Sequence, residues 1–416
     1  MKTPLNPPVV IVGAGPAGAS LALQLARAGV PVTLIEATRE FSRQFRGEAL
    51  MPSGLEALAA MGLEPLLREL PQRTLEGWSF KIEGRELFSA DEPLGSARPC
   101  TLVSQGPLLE ALVEQAQEQP GFTWLPSTSI ADLIEQGGRI SGVRLADGRC
   151  LEAALLVGTD GRRSLVRQRA GLALDALGSP IDVLWFRLPS APEFEQPNRF
   201  TTLVAQGQIC SLFAGTRAGE LQLGWVASKP DGSASSSERS PTDWCETFAK
   251  LAPEPLAQHL RQQAGALVGP VRLNAEVGRA PLWHRSGLLL LGDAAHPMSP
   301  VRAQGLNMAL RDSLVAAQML AALWGTAARA GDLGPDPADI DGALGRIQAA
   351  RLPEITRIQG LQAQEAARGE LLRSQGFLRC ALALAAPLAG AALKRHWIHQ
   401  QRVLRDGLPL PSCVGS

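Results

Sequence analysis

The chain contains no tyrosine in 416 residues, although it has 8 Trp and 11 Phe. No phenol of the protein can therefore bind a ligand or exchange a proton with it. Neither sign of charge is in excess, since 40 Lys and Arg balance 40 Asp and Glu. That argues against a dedicated nucleic-acid binder, which needs a basic surplus, and against global steering of an acidic substrate. The six cysteines, Cys100, Cys150, Cys210, Cys245, Cys380 and Cys413, form no CxxC pair and have no histidine at ligand spacing. Reduced, mostly buried thiols are expected, and no metal site. No run reaches the ~18 apolar residues of a spanning helix. The nearest, Cys380 to Leu393, is interrupted by Pro387 and Gly390, and the Pro-rich start lacks a signal-peptide core. A cytoplasmic protein is the expectation.

What is present reads as a folded chain of two to three domains at ~150 residues each. Val9–Val12 is a β-branched run ending in Gly13. An apolar helical face follows over 16–27, and a second strand, 30–35, ends at Glu36. This is a βαβ unit, so the sheet should be parallel. Helices are expected over 52–61 and 108–117. Hairpins are expected around Glu83-Gly84 and Asp147-Gly148. A short buried strand lies at 155–157. Strands dominate from 182 to 226, and the Ser/Pro-rich stretch 228–242 reads as a loop. Leu288–Leu291 is another buried strand. A helix runs from about 306 to 324, residues 331–342 read as a linker, and the remainder is mainly helical.

Three loops at strand ends carry the chemistry. Gly13-Ala14-Gly15-Pro16-Ala17-Gly18 is a GxGxxG between a strand and a helix. Gly13 permits the tight turn, Gly15 lets backbone approach a pyrophosphate, and Gly18 lets helix and strand close together. The helix N-terminus supplies free N–H groups to the phosphate, and Glu36 is placed for a ribose diol. This alone indicates FAD or NAD. The second loop, Gly158-Thr159-Asp160-Gly161, follows a strand and could equally be a plain turn with Ser164 as helix cap. In the third, Gly292-Asp293-Ala294-Ala295-His296-Pro297, a strand delivers Asp293 towards ribityl hydroxyls. Gly305 then opens a long helix whose N-terminus suits the negative pyrimidine edge of a reduced flavin.

With these three loops in this order, the chain resembles the single-component FAD-dependent aromatic hydroxylases and monooxygenases of the para-hydroxybenzoate hydroxylase type, over about residues 8–320. The resemblance implies an α/β fold. Its Rossmann-like FAD-binding domain would comprise 1–75, 101–177 and 277–330. An inserted, mainly antiparallel substrate domain would comprise 76–100 and 178–276, with a C-terminal helical region over 331–416. FAD would be reduced by NADH or NADPH, bound transiently because no second GxGxxG exists, and a flavin C4a-(hydro)peroxide would oxygenate an electron-rich substrate. Most of that chemistry is the cofactor's. The residues implied at FAD are Gly13, Gly15, Ala17, Gly18, Glu36, Arg46, Gln105, Asp160, Asp293, Pro300, Gly305, Leu306 and Asn307, with the backbone of 305–307 lining the flavin and Asn307 holding the pyrimidine edge. The match around Arg46 runs on through Gly47-Glu48 to Met51-Pro52-Ser53-Gly54.

The chain departs from its relatives at Arg302-Ala303, where many have two glycines. Arg302 would restrict flavin motion, offer charge to a ligand, or simply face solvent. No acid–base residue is assigned, and His296 and Arg302 are the catalytic candidates. His296 is the one titratable ring near the site, and a core histidine satisfied by backbone accounts for it. Trp185, Phe186, Phe213 and Trp225 are candidates for the inner face of the substrate sheet. The apolar stretch 377–397, ending in Lys394-Arg395-His396-Trp397, would pack on the flavin domain or make weak peripheral contact with a membrane. The substrate expected is a small aromatic or apolar molecule, larger than a simple hydroxybenzoate, because the tyrosine known to activate phenols in such enzymes is missing. Alternatives sharing the motifs are an FAD-dependent prenyl reductase and a non-catalytic FAD-binding protein.

Overall fold

The computed structural model describes residues 7–41, 48–178, 181–227 and 239–410. Arg46, Cys413 and residues 228–238 of the expected loop lie outside them. A six-stranded sheet runs in the spatial order His284–Arg285, Leu288–Leu290, Leu155–Gly158, Val9–Val12, Val32–Ile35, Phe122–Leu125. All its neighbours are parallel except the first pair. Val9–Val12 is buried along its whole length, which is why it reads as an unbroken apolar run rather than an alternating one. One face packs on the helices Pro16–Arg27, Gln105–Gln117 and Gln304–Ala330 through Leu21, Leu25, Leu112, Leu310 and Leu314. The other packs on a three-stranded sheet built around Arg139–Leu145.

The second large sheet has seven strands, in the order Val268–Ala275, Ile181–Pro189, Glu220–Ala227, Gln208–Ala214, Arg199–Ala205, Gly77–Ile82, Arg85–Asp91. It is antiparallel apart from the pair Arg199–Ala205 and Gly77–Ile82. The early hairpin thus completes a sheet made mostly of residues a hundred positions later. Its turn places Glu83 and Gly84 at φ 45° and 77°, the two left-handed residues that a tight hairpin with right-handed twist demands. Behind this sheet, Phe186 and Trp225 meet Trp244 and Phe248 from the helix Pro241–Ala249.

Two expectations about the later elements are corrected. The long helix extends to Ala330, and the linker ends at Asp336, whose side chain accepts from the Ala338 N–H and starts a helix over Pro337–Ser374. The last helix, Gly376–Asp406, runs through Pro387 without a break. Packing accounts for this. Ala383, Ala386 and Gly390 are buried and small, and a side chain at Gly390 would meet the Leu87 carbonyl at 2.6 Å, so the helix lies close on the edge strand Arg85–Asp91. The opposite face is bare, with Phe377, Leu384 and Leu388 exposed. By length and composition this helix is apolar enough to cross a membrane, and only 17% of its most apolar window is buried.

Candidate active site

The glycines of the first loop have distinct jobs. Gly13 has φ 100°, and a Cβ on it would sit 2.6 Å from the Thr159 carbonyl. A Cβ on Gly18 would collide with the Gly13 carbonyl. Both glycines are therefore demanded by contacts within the fold. Gly15 differs, because a Cβ there would meet nothing within 4 Å. It precedes Pro16 at the N-terminus of a twelve-residue helix that has no side-chain cap and no acid in its first turn. An uncapped helix end facing open space fits a phosphate. At the end of the second strand the buried Glu36 accepts from the Ala14 N–H at 2.8 Å and from the Thr38 N–H and hydroxyl at 3.0 and 2.9 Å.

The second loop is bolted to the first, and the third to the second. The Thr159 hydroxyl donates towards the Val12 and Gly13 carbonyls at 2.9 and 2.6 Å. Asp160 accepts from the Ser164 hydroxyl and from the Val166 N–H at 3.0 Å, so it caps its own short helix. Burial raises its pKa against those hydrogen bonds. Arg162 donates to Asp293 at 3.1 Å, and the buried Arg167 donates to the Ala294 and Arg162 carbonyls at 2.7 and 3.0 Å. Asp293 is partly exposed beside the N-terminus of the long helix, where a Cβ on Gly305 would lie 3.8 Å from its Oδ1. Gln105 opens the helix Gln105–Gln117 and is partly buried. These placements bring Gly15, Asp293 and Gly305 to the C-terminal edge of one parallel sheet, the edge at which such sheets bind ligands.

The Asn307 side chain is engaged within the protein. Its Oδ1 accepts from the Met51 N–H at 2.9 Å, and its Nδ2 donates to the Ala49 and Ala303 carbonyls at 3.1 and 2.8 Å. The side chain is spent on clasping the strand Ala49–Leu50 to the long helix, and Gly54 is needed because a Cβ there would strike Asn307 Oδ1. At this helix end, binding capacity lies in the first-turn N–H groups of Gln304 to Asn307 instead.

His296 is a core histidine, as its sequence context suggested, but a carboxylate rather than the backbone satisfies it. It is 1% exposed, bonded through Nε2 to Asp312 at 2.6 Å and packed on Trp283, and it does not line the cavity. Asp312 in turn accepts from Arg351 at 2.7 Å and from the Gly292 N–H at 3.1 Å. Arg351 also pairs with Glu354, which pairs with Arg311 at 3.0 Å. Burial opposes ionisation of Asp312 and Glu354, but the neighbouring cations win and hold both carboxyls below their ordinary range.

Arg302 neither faces solvent nor offers a free charge. It binds both oxygens of Glu365 at 2.8 Å and lies over the rings of Trp78, Phe80 and Trp397 at 5.2, 5.5 and 5.2 Å. Arg302 and Ala303 both take left-handed backbone, φ 59° and 50°, where glycine is the usual residue. Gln362 donates to the Ser299 and Val301 carbonyls, and Gln304 joins the Arg302 and Leu404 carbonyls. The loop before the long helix is thus anchored to both C-terminal helices.

Beside this loop lies a cavity of about 1270 Å³. The seven-stranded sheet contributes Trp78, Trp185, Phe200, Phe213 and Gln222, the loop contributes Pro300 to Ala303, and the two C-terminal helices close the far side. Phe200 stacks on Phe213 at 5.1 Å and tilts against Trp78 at the same distance. Of the four aromatics expected on the inner face, Trp185 and Phe213 line the cavity, whereas Phe186 and Trp225 belong to the core behind the sheet. Gln222 and Glu365 carry no local signal in the sequence, whereas Glu48 and Trp397 stand in motifs quoted above that gave them no role in a cavity.

Residues 6–333 match the family model described as FAD binding domain. The chain is 34% identical over 366 residues to 6-methylpretetramide 4-monooxygenase of Streptomyces rimosus, covering 86% of this chain and 83% of the relative. It is 29% identical over 369 residues to ubiquinone hydroxylase UbiL of Rhodospirillum rubrum, covering 83% and 78%. The structure of Pseudomonas aeruginosa PqsL in complex with 2-aminobenzoylacetate superposes with a TM-score of 0.74 at 22% identity, over 91% of this chain and 98% of that one. The tetrameric form of 2-methyl-3-hydroxypyridine-5-carboxylic acid oxygenase gives 0.71 at 23%, over 92% and 96%. The glycine loop, the uncapped helix end and the late Gly-Asp turn are accounted for together: the chain belongs to this FAD-binding family and is an FAD-dependent monooxygenase.

Proposed function

We propose that the chain uses NADH or NADPH and O2 to oxygenate an apolar aromatic small molecule held in the 1270 Å³ cavity. The observation that carries this is the position of that cavity between an aromatic sheet face and the loop Pro300–Ala303, which precedes the flavin-facing helix end. Its size exceeds the ~300–1,000 Å³ of ordinary small-molecule sites, so a substrate of several fused or linked rings suits it better than a single ring. The relative named for 6-methylpretetramide and the one named for ubiquinone support an aromatic or quinone-like substrate class.

In this reading the parallel-sheet portion is the FAD-binding domain and the seven-stranded sheet the substrate domain. Gly13 to Gly18 and the N-terminus of Pro16–Arg27 hold the pyrophosphate, with Ala17 in the first turn, and Glu36 the adenosine ribose. Gln105 and Asp293 face the ribityl and phosphate portion. Pro300 and the backbone of Gly305, Leu306 and Asn307 line the ring. Asp160 acts indirectly, by fixing the second loop. Bound FAD supplies hydride acceptance and oxygen activation, while the protein orients the substrate and excludes water. The monooxygenase names of the relatives favour this over prenyl-chain reduction and over a non-catalytic role. The exposed apolar face at Phe377, Leu384 and Leu388 supports weak peripheral membrane contact of a cytoplasmic protein. The test is to load the protein with FAD, follow NADH and NADPH oxidation with polycyclic aromatic candidates, and weigh the products. A gain of one oxygen is expected; a gain of two hydrogens would favour the reductase.

A further inference from the structure

The polar groups of the cavity are unevenly spent. Glu365 is matched by Arg302, and Glu370 by Arg373. Glu48 is different. Its carboxylate lines the cavity and has one hydrogen-bond partner among the described residues, Gln222, whose Nε2 donates to Oε2 at 2.8 Å. Gln222 is itself buried, on the central strand Glu220–Ala227. Oε1 of Glu48 receives no donor among the described residues. The cavity that the pair lines also presents the apolar side chains of Met51, Trp185 and Phe213.

Backbone clamping fixes where Glu48 sits. It immediately precedes Ala49, whose carbonyl accepts from Asn307, and Met51 N–H donates to the same side chain. Glu48 is thereby held beside the N-terminus of Gln304–Ala330, at the flavin-facing end of the cavity. The charged groups around it are Glu220 and Arg187, which pair with each other at 3.3 Å, and Arg217 on the turn that precedes Glu220. Burial raises the Glu48 pKa, the Gln222 hydrogen bond lowers it, Glu220 raises it and the two arginines lower it, with a net upward direction.

We propose that Glu48, oriented by Gln222, hydrogen-bonds and deprotonates an ionisable hydroxyl on the aromatic substrate, the task for which this chain has no tyrosine. The proposal rests on the cavity being the substrate site. In the step, the substrate O–H bond breaks and an O–H bond forms on a Glu48 oxygen. The electron pair stays on the substrate oxygen, so a carboxylate and a hydroxyl become a carboxylic acid and an aryl oxyanion, with no change of oxidation state. The oxyanion enriches the ring carbons that accept oxygen. A carboxylate held in a poorly hydrated wall is a stronger base than one in water, which brings it closer to a phenol in proton affinity.

The test uses FAD-loaded enzyme and two dyes, alizarin (1,2-dihydroxyanthraquinone), whose colour reports ionisation of its hydroxyls, and anthraquinone, which has none. Wild-type protein is expected to bind both and to ionise bound alizarin at a lower pH than free alizarin. Glu48→Gln is expected to keep its FAD and its anthraquinone affinity, to bind alizarin about tenfold more weakly, and to lose the shift in dye ionisation. Gln222→Leu, which leaves the carboxyl in place, should also change the bound-dye ionisation, and Glu48→Asp should restore part of it. Unchanged alizarin affinity and ionisation in Glu48→Gln, with anthraquinone still bound, would overturn the role of Glu48 and leave the cavity reading intact. Should Glu48→Gln fail to fold, a bound-dye ionisation in Gln222→Leu identical to that of wild type overturns it. Failure of wild type to bind either dye overturns both readings.

Discussion

Arg302 and Glu365, 63 positions apart, form a two-pronged ion pair at 2.8 Å inside a cage of Trp78, Phe80 and Trp397. The pair joins the loop before the helix Gln304–Ala330 to the helix Pro337–Ser374, and Gln401 of the last helix donates to Glu365 at 2.8 Å. A residue that occupies left-handed backbone is held there by contacts far away in sequence.

That latch predicts strong coupling. Arg302→Ala and Glu365→Ala should each destabilise the protein by about 3 kcal/mol, because each leaves a largely buried charge unpaired. The double variant should lose clearly less than the sum. Urea unfolding of the four proteins measures this, and additive losses would contradict the latch.

The three glycines of the first loop should separate by function. Gly15→Ala should leave the stability of the apoprotein nearly unchanged, since a Cβ there meets nothing within 4 Å. It should nonetheless cut FAD affinity at least ~tenfold by intruding on the pyrophosphate. Gly18→Ala should lower both the apoprotein melting temperature and FAD content, because its Cβ strikes the Gly13 carbonyl. Calorimetry of apoprotein and the flavin-to-protein absorbance ratio after gel filtration read the two effects apart.

Asp293→Ala should release most FAD on gel filtration while preserving the fold, because its protein contacts are few and it is partly exposed. Retention of a full complement of flavin would remove Asp293 from the cofactor site.

Stability should fall in acid for an identifiable reason. Asp312, Glu354 and Glu365 each have folded pKa values below their ordinary ones, because Arg351, Arg311, His296 and Arg302 outweigh the cost of burial. The unfolded chain therefore binds more protons in the window between the two values. The contribution is fully present above about pH 5 and is lost as pH falls through about 4 and below. Unfolding free energy measured against pH should drop there, and Asp312→Asn should flatten that part of the curve. A profile unchanged by the substitution would show that Asp312 contributes nothing to it.

Asn307→Ala should cost about 2 kcal/mol, since it strands the Met51 N–H and the Ala49 and Ala303 carbonyls. Because Ala49 adjoins Glu48, the loss should also show as weaker binding of an aromatic ligand.

What the sequence by itself determined is local. A β-branched run, three glycines at fixed spacing and a terminal Glu36 specify the first strand, turn and helix, because turn geometry and burial on both faces act within a few residues. The same holds for the hairpin at Glu83-Gly84 and for Asp293 at a strand end. The last helix continues through Pro387, because close packing of Ala383, Ala386 and Gly390 outweighs the hydrogen bond that the proline omits. The tertiary structure alone decided the partners of the polar side chains. Asn307 was given to Met51 and Ala49, His296 to Asp312, and Arg302 to Glu365. It also decided which carboxylate was left facing the cavity. A buried polar group must be satisfied by whatever packs against it, and those neighbours come from chain segments up to about 260 residues away.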